Sequence, residues 1–358
     1  STRDERNFGG LYAQGEWHPL PRLGVTAGVR LNNTRETKTG AVEPGASGEE
    51  PFHGHDSRTT TRGSGVIGAS LLAWNSGNDG LWVYADARNT FKPAAIDFGP
   101  EGEGDILKPE NATSYEVGLK GHNVDGRLDW DLAWFTMDFT NVVTSNLVDG
   151  LPALVNTGKQ RFQGVELEAS YRLADALSLQ AALSRHRSRF RDFVALFDDV
   201  PTQLAGKRLE TVPDELYALG ASYSPGTGLN AYVTWNYVGD RYLNKRNTAL
   251  AKAFSTWAAG LGYRFERYEV RVDGTNLSNE RPPVSESELG DAQYYLLPAR
   301  AVRVCPFCRY STPTARRPSN RIRVPSAPVS TRTLGRFMAG RRKARAADMR
   351  RPPAVVIW

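Results

Sequence analysis

Three observations predict an all-β protein: an antiparallel transmembrane β-barrel, incomplete at about 13 strands, followed by a disordered C-terminal tail. Apolar and polar residues alternate with period 2 in segments of about ten residues or more, each bounded by Gly, Pro, Asn or Asp. The connections between these segments are alternately short and long. Charged residues sit in mid-segment, opposite continuous apolar rows.

The segments fall near 8–17, 22–36, 60–74, 80–92, 112–122, 127–145, 158–173, 177–193, 211–224, 227–241, 253–265, 267–276 and 293–303. Val25, Ala27, Val29 and Leu31 share one face of the second, and Tyr115, Val117 and Leu119 one face of the fifth. In the sixth the alternation changes phase around Trp134 and Phe135, as a bulge would make it. The seventh is the clearest: Val165, Leu167, Ala169 and Tyr171 face one way, Glu166, Glu168, Ser170 and Arg172 the other. The eighth repeats it with Leu177, Leu179, Ala181 and Leu183. Later examples are Ala231, Val233, Trp235 and Tyr237, then Trp257, Ala259, Leu261 and Tyr263.

The short turns are HPLPR, NSGND, NVDG, ADA, SPGTG and ER, and the long connections span 37–59, 93–111, 146–157, 194–210, 242–252 and 277–292. A soluble sandwich has no reason to collect every long loop at one end, whereas an outer-membrane barrel has tight periplasmic turns and long external loops. Glu166, Glu168, Arg172, Glu269, Arg271 and Asp273 lie in mid-strand, where a packed soluble core tolerates charge poorly. A polar pore with its apolar rows turned to lipid accepts them. Trp17, Trp74, Trp134, Phe139, Trp235, Tyr237, Tyr242 and Tyr263 gather near strand ends, as interfacial girdles do. No run of 18 apolar residues occurs, so a membrane-spanning helix is excluded.

The net charge of +6 belongs to the tail. Residues 304–358 hold 13 of the 45 Lys and Arg but one of the 39 Asp and Glu, leaving 32 basic against 38 acidic residues in 1–303. The body is therefore acidic, and a nucleic-acid-binding reading rests on the tail alone, which lacks interleaved aromatics; no nucleic-acid partner is expected. Both cysteines, Cys305 and Cys308, also lie in the tail. Their C-x-x-C has no second pair or suitable His, so neither a zinc site nor a redox role is expected. The chain opens on Ser1 without a signal peptide, as a segment cut within a longer protein does.

Candidate ligand contacts are few. FHGHDS offers His53, His55 and Asp56 in a long connection, but without a fourth donor it reads as a solvated loop rather than a metal site. Arg185, Arg187, Arg189 and Arg191 recur at period 2 near the external end of a strand. They are placed to hold an anionic ligand or lipopolysaccharide phosphates, or are a solvated strand extension. GLGYRF lies within a strand and lacks a third Gly and a following helix, so it is no dinucleotide site. No nucleophile, base or phosphate loop emerges; no catalytic residue, cofactor or metal is expected.

Four stretches resemble the C-terminal half of TonB-dependent outer-membrane receptors. In LKPENATSYEVGLKG the matching positions are Leu107, Lys108, Pro109, Glu110, Tyr115, Glu116, Gly118 and Lys120. In NTGKQRFQGVELEASYRL they are Asn156, Gly158, Gly164, Glu166 and Glu168; in TNLSNERP, Asn276, Leu277 and Asn279. YYLLPARAVRV is similar to the opening of the family's final strand. The resemblance implies an outer-membrane receptor for a ferric siderophore or similarly scarce solute, with lipid around it and the TonB energy-coupling system acting through an N-terminal plug. Neither plug nor TonB box is found here, and such transporters have about 22 strands. Residues 1–303 are then a partial barrel with an open sheet. The alternative is a surface β-protein, an adhesin or carbohydrate-binding module, without transport.

Past Val304 the period, charge balance and cysteine usage all change within a few residues. Of the tail's 55 residues 12 are Arg, 7 Pro and one Lys, against 24 Arg and 8 Lys in 1–303. Joint excess of residues with G- and C-rich codons is what an out-of-frame reading of a GC-rich gene produces. We expect that translating the DNA after the Val304 codon in one of the other two frames gives a short alternating strand, a terminal aromatic residue and a stop. If neither frame does, the basic extension is genuine.

Overall fold

The computed structural model describes residues 2–42, 52–92, 106–148, 151–197, 200–286 and 294–309. The strands of the first half are β1 (Thr2–Leu20), β2 (Leu23–Val42), β3 (Phe52–Ser76), β4 (Asp79–Lys92), β5 (Glu110–Asn123), β6 (Leu128–Val148) and β7 (Leu151–Ala174). There follow β8 (Leu177–Asp192), β9 (Val194–Phe197), β10 (Val200–Gln203), β11 (Glu215–Tyr223), β12 (Gly228–Val238), β13 (Arg241–Tyr242) and β14 (Leu250–Ala251). The chain ends with β15 (Phe254–Phe265), β16 (Tyr268–Thr275), β17 (Pro283–Glu286), β18 (Tyr294–Leu296) and β19 (Ala301–Arg309).

One antiparallel sheet of 13 strands runs in the order β1-β2-β3-β4-β5-β6-β7-β8-β11-β12-β15-β16-β19. Every neighbour in the sheet is the next long strand in sequence, so the chain is a single meander. The remaining strands form three small hairpins, β9/β10, β13/β14 and β17/β18, all within long connections. Among the described residues β1 and β19 each have one neighbour in the sheet, so it is open.

Period 2 sorts the side chains into two faces. Following the register from strand to strand, Leu71, Val83, Leu119, Leu132, Leu167, Leu183, Tyr217 and Tyr237 form one lateral row. This face is left bare by the protein: Leu219 is 45% exposed, Leu261 56% and Val272 43%. An apolar row that continues across the sheet far exceeds the patches water-soluble monomers present, and lipid is the solvent that removes its cost. The opposite face carries Asn32, Thr34, Glu36, Lys38, Ser114, Ser184, His186 and Ser188, all buried, and is the inner face of the barrel wall.

Strand length adds a vertical axis. About 9–11 tilted residues cross a bilayer core, yet β3 has 25 and β7 has 24. The surplus rises at the end of the long connections. The β2/β3 ladder persists from Leu23↔Leu71 up to Val42↔Phe52, and β6/β7 up to Val148↔Leu151. Much of the expected loops 37–59 and 146–157 is therefore strand, because each tall strand saturates its neighbour's backbone.

Two other expectations are corrected. The β5/β6 and β6/β7 registers run unbroken through Trp134 and Phe135, with Trp134 outward opposite Val165 and Phe135 inward opposite Gly164. The irregularity falls higher, at Asn141, whose φ of 55° takes it out of the ladder opposite Gly158 at 42°. Nor does the last strand stop at Val304: β19 pairs with β16 as far as Arg309↔Tyr268, with a register shift between Glu269 and Arg271. Pro306, which has no N–H to offer, falls in that shift on an edge strand, where proline is tolerated. Cys305 is disulfide-bonded, a state that the sequence alone did not assign.

Gly118 shows how tightly the inner face is fitted. It lies directly across from Tyr84, and a Cβ there would come within 2.5 Å of the Tyr84 ring and 2.6 Å of the Leu132 carbonyl oxygen. The ring can move but the backbone carbonyl cannot. Gly118→Val is expected to destabilise the barrel by about 1–3 kcal/mol, measured as a lower unfolding midpoint of the heat-modifiable band. Gly220→Ala, where nothing comes nearer than 3.6 Å, is expected to leave the midpoint in place.

Candidate functional site

The inner wall is polar and internally paired. Tyr84 donates its hydroxyl to Glu116 at 3.0 Å and Asp131 at 2.9 Å, Lys120 reaches Asp131 at 3.1 Å, and Arg88 bridges Asp86 at 2.7 Å and Glu116 at 3.7 Å. A second cluster repeats the arrangement: Tyr232 lies across from Gly260 and donates to Asp273 at 3.0 Å, with Arg271 beside Asp273 at 2.8 Å. A cation sits over each tyrosine ring, Lys120 at 4.5 Å and Arg271 at 5.2 Å. Such a wall offers water and solutes hydrogen bonds while leaving few charges unneutralised. It contains no arrangement that activates a nucleophile.

Above it, asparagine amides fasten the loop bases. Lys108 donates its backbone N–H to Asn156 Oδ1 at 2.5 Å, and Asn156 Nδ2 donates back to the Lys108 carbonyl at 2.8 Å and to the Asn141 carbonyl at 2.9 Å. Glu110 Oε1 accepts the Val143 N–H at 2.6 Å, while its other oxygen pairs with Lys92 at 3.0 Å. Gly158 permits the close approach of β8: a Cβ there would lie 1.5 Å from the Asp192 carbonyl oxygen. At the other end of the sheet Asn276, at φ 48°, donates to the carbonyls of Glu280 and Pro298, both at 2.8 Å. Asn279 Oδ1 accepts the Arg300 N–H at 3.0 Å, and Leu277 packs against Gly274.

The loops of the later strands interlock. The connection after β8 folds over the inner face around Phe190, Phe193, Ala195, Leu204 and Leu209. Asn247, at φ 57°, joins it to the loop after β12 by accepting the Arg208 N–H and donating to the Arg208 carbonyl, both at 2.8 Å. Arg241 ties that loop to the next by donating to the Pro283 carbonyl at 2.6 Å, 5.2 Å from the Phe254 ring. Burial lowers its pKa from the usual guanidinium value. Three connections thus form one cap over one end of the wall.

Residues 1–277 match the sequence pattern of the family described as TonB dependent receptor-like, beta-barrel. The chain belongs to this family. Among curated proteins it is 27% identical to the ferrioxamine receptor of Yersinia enterocolitica over 63% of the chain and 31% of that receptor. It is 31% identical to the metal-pseudopaline receptor CntO of Pseudomonas aeruginosa over 44% of the chain and 22% of CntO. Among solved structures, the ferric yersiniabactin uptake receptor FyuA of Yersinia pestis superposes with a TM-score of 0.71 at 20% identity, over 84% of this chain and 45% of FyuA. The copper transporter OprC superposes at 0.65 with 17% identity, over 83% of this chain and 47% of OprC. The chain thus spans under half of each, and the family is one of receptors, not enzymes.

Seen as a receptor wall, the motif residues sort into two groups. Lys108, Pro109, Glu110, Asn156, Gly158, Asn276, Leu277 and Asn279 build the loop bases, with Leu107 half-buried beside them. Glu116, Gly118, Lys120, Gly164, Glu166 and Glu168 face inward, and Tyr115, 52% exposed, faces outward. His53, His55 and Asp56 lie on β3 rather than in a loop, so the strand pleat puts Asp56 on the opposite face from His55. Asp56 instead accepts the Ile106 N–H at 2.9 Å, His55 Nδ1 lies 3.3 Å from Thr39 Oγ1, and the His53 side chain lies outside the described residues. Among the described residues there is no metal-ligating cluster. Phe139 and Tyr242 leave the expected girdle: Phe139 packs edge-on to Phe162 inside, and Tyr242 lies 5.4 Å from Arg208 in the cap. The latching role of Asn247 and Arg241 had no sequence signal, because Asn247 stands in a long connection and Arg241 at the very end of a periodic segment.

Asn156→Ala deletes three hydrogen bonds that connect β7 to β6 and to the segment leading into β5. It is expected to cost about 1–3 kcal/mol and to raise amide exchange at Lys108 by about tenfold or more, read by hydrogen–deuterium exchange. Unchanged protection there would show that the latch does not hold the loop base.

Proposed function

We propose that the chain forms the C-terminal part of the barrel wall of an outer-membrane receptor that imports a ferric siderophore or another scarce metal chelate. The observation that supports this most directly is the pairing of a bare apolar outer face with a polar, ion-paired inner face beneath a latched loop cap. A wall of that kind conducts a bulky polar solute past lipid, and the cap supplies the surface that selects it. The names of the relatives agree in chemistry: ferrioxamine, pyoverdine and pseudopaline receptors and a copper transporter all concern metals or metal complexes.

In this reading the inner wall does not do chemistry. Asp86, Asp131, Glu269 and Asp273 are held by Arg88, Lys120, Arg264 and Arg271, so an anionic complex meets hydrogen-bond donors and acids that are in large part neutralised. Energy for import comes from the TonB system, acting on a plug within the barrel. An adhesin or carbohydrate-binding module is disfavoured, since its sheet would turn the apolar rows inward.

Deletion of the gene in the source bacterium, grown with iron or another transition metal chelated, tests this. We expect growth on one metal–chelator complex to fail and to return with the full-length gene. Normal uptake of every chelate, together with recovery of the protein in the detergent-free soluble fraction, would overturn it.

A further inference from the structure

We propose that the imported chelate carries net negative charge and is received, at the loop end of the inner wall, by Arg30 of β2 and Arg62 of β3. The proposal rests on the import function proposed above and adds to it the sign of the substrate and the residues that read it.

Period and register place both arginines on the inner face. Val25, Ala27, Val29 and Leu31 of β2 face outward, so Arg30 and Asn32 face the pore on either side of Leu31. Arg62 is directly across from Asn32, and Ser64 is directly across from Arg30. Arg30 and Arg62 are therefore diagonal neighbours on one face, about 7–8 Å apart at their roots. Beyond Leu31 the outward row of β2 turns polar, with Asn33, Arg35 and Thr37. The pair thus stands where the wall emerges from hydrocarbon, below the long connections. A solute coming from outside meets this level as it enters the lumen.

What sets the two apart is the lack of an acid. On the same wall Arg6 meets Glu36 at 2.6 Å, Arg88 meets Asp86 at 2.7 Å, Lys120 meets Asp131 at 3.1 Å and Arg271 meets Asp273 at 2.8 Å. Arg30 and Arg62 are exposed and have no ion pair among the described residues. The carboxylates of their own strands are engaged, Glu36 by Arg6 and Asp56 by the Ile106 N–H at 2.9 Å. Two guanidinia this close repel each other. A bound anion relieves both at once, through paired, charge-assisted hydrogen bonds to its carboxylate or catecholate oxygens.

The surroundings suit the same occupant. Tyr12 of β1 is directly across from Arg30, and the Phe8 ring lies 5.7 Å from the Arg30 guanidinium; both rings are exposed and offer flat apolar faces to the body of a chelate. Asn32, beside both arginines, is 4% exposed, and its Oδ1, next to Gly10 of β1, has no hydrogen-bond partner among the described residues. An amide not otherwise engaged can turn its NH2 to an anion. A cationic chelate meets two repelling guanidinia here and no unengaged carboxylate of β2 or β3, which decides the sign. The arginines of β8 do not contribute, since Arg185, Arg187 and Arg189 face outward and Arg191 is exposed at the bulge that follows.

The test uses the purified full-length receptor in detergent and the same receptor in the source bacterium. Ferric citrate and a ferric tricatecholate are the anionic probes, and ferrioxamine B is the cationic one. Phenylglyoxal modifies accessible guanidinia, and the modified residues are read by peptide mass spectrometry. We expect Arg30 and Arg62 to be modified in the free receptor and to be protected roughly fivefold or more by one of the anions but not by ferrioxamine B. In cells, Arg30→Ala/Arg62→Ala should raise the KM for uptake of radioactive iron from that chelate about tenfold or more, with the maximal rate changed by less than about twofold. Arg30→Lys/Arg62→Lys should recover part of the loss, and an unchanged heat-modifiable band shows that the alanine variant is folded. Protection by ferrioxamine B as strong as by the anions, protection by none of the three, or uptake untouched by the alanine pair overturns the proposal. Arginines already shielded in the free receptor also overturn it, in favour of an acidic surface packed inside the barrel. Failure of the functional reading itself looks different: wild-type cells take up no chelate of either sign, and deletion of the gene costs no growth on any.

Discussion

A peptide N–H or C=O that faces hydrocarbon has no water to turn to, so each must find its partner within the protein. Among the described residues, between the two edge strands, the partner is the neighbouring strand. That one requirement explains why thirteen strands succeed one another as a plain meander, why turns at one end are as short as the chain allows, and why β2/β3 and β6/β7 stay zipped well beyond the length a bilayer needs. It also explains β19, which goes on pairing with β16 through a register shift and a proline rather than leave the ladder bare. Irregularities fall at both ends of the strands: Asn141, Gly158, Asn247 and Asn276 toward the long loops, and the register shifts near Leu72, Arg172 and Glu269 toward the short turns.

The same ladder fixes everything else through its period of two. Once the apolar residues of a strand face lipid, every alternate residue faces the pore, and its charge must be answered by a neighbour across the register. The two tyrosine clusters show the answer worked out locally. In each, glycine on one strand makes room for a tyrosine on the next, the hydroxyl reaches a carboxylate, and a cation covers the ring. Glu116 and Gly118 stand two residues apart on β5 because both must face inward to serve Tyr84. The family resemblance of that stretch thus has a packing cause.

What the sequence made legible follows from this. Alternation is a local property, so the number and order of the long strands, and the face each residue takes, could be read from residues such as Val165 to Tyr171. The motif residues could be found but not explained: Asn156 and Lys108 lie 48 positions apart, and only the fold shows that one amide closes on the other's peptide group. Strand ends were the weakest part, because above the membrane nothing apolar marks them. Val42 and Phe52 are register partners at the top of the β2/β3 ladder. The interlock of Arg208 with Asn247, and of Arg241 with Pro283, depends on loops far apart in sequence and left no pattern to read.

β8 carries the argument to its sharpest point. Its odd residues pass from Leu183 to Arg185 on the outside, while its even residues, Ser184 to Phe190, are sealed under the cap within. A slip of one residue would exchange the two sets, putting guanidinia under the cap and Phe190 in the headgroups. Two features prevent the slip. The shift at Lys159/Gln160 admits one extra residue on β8, and Gly158, pressed against the Asp192 carbonyl, leaves no other alignment room. The glycine that the family resemblance picks out at the base of a loop therefore also decides which face of the wall the arginines occupy. Loop architecture and the chemistry of the outer face are set by one register.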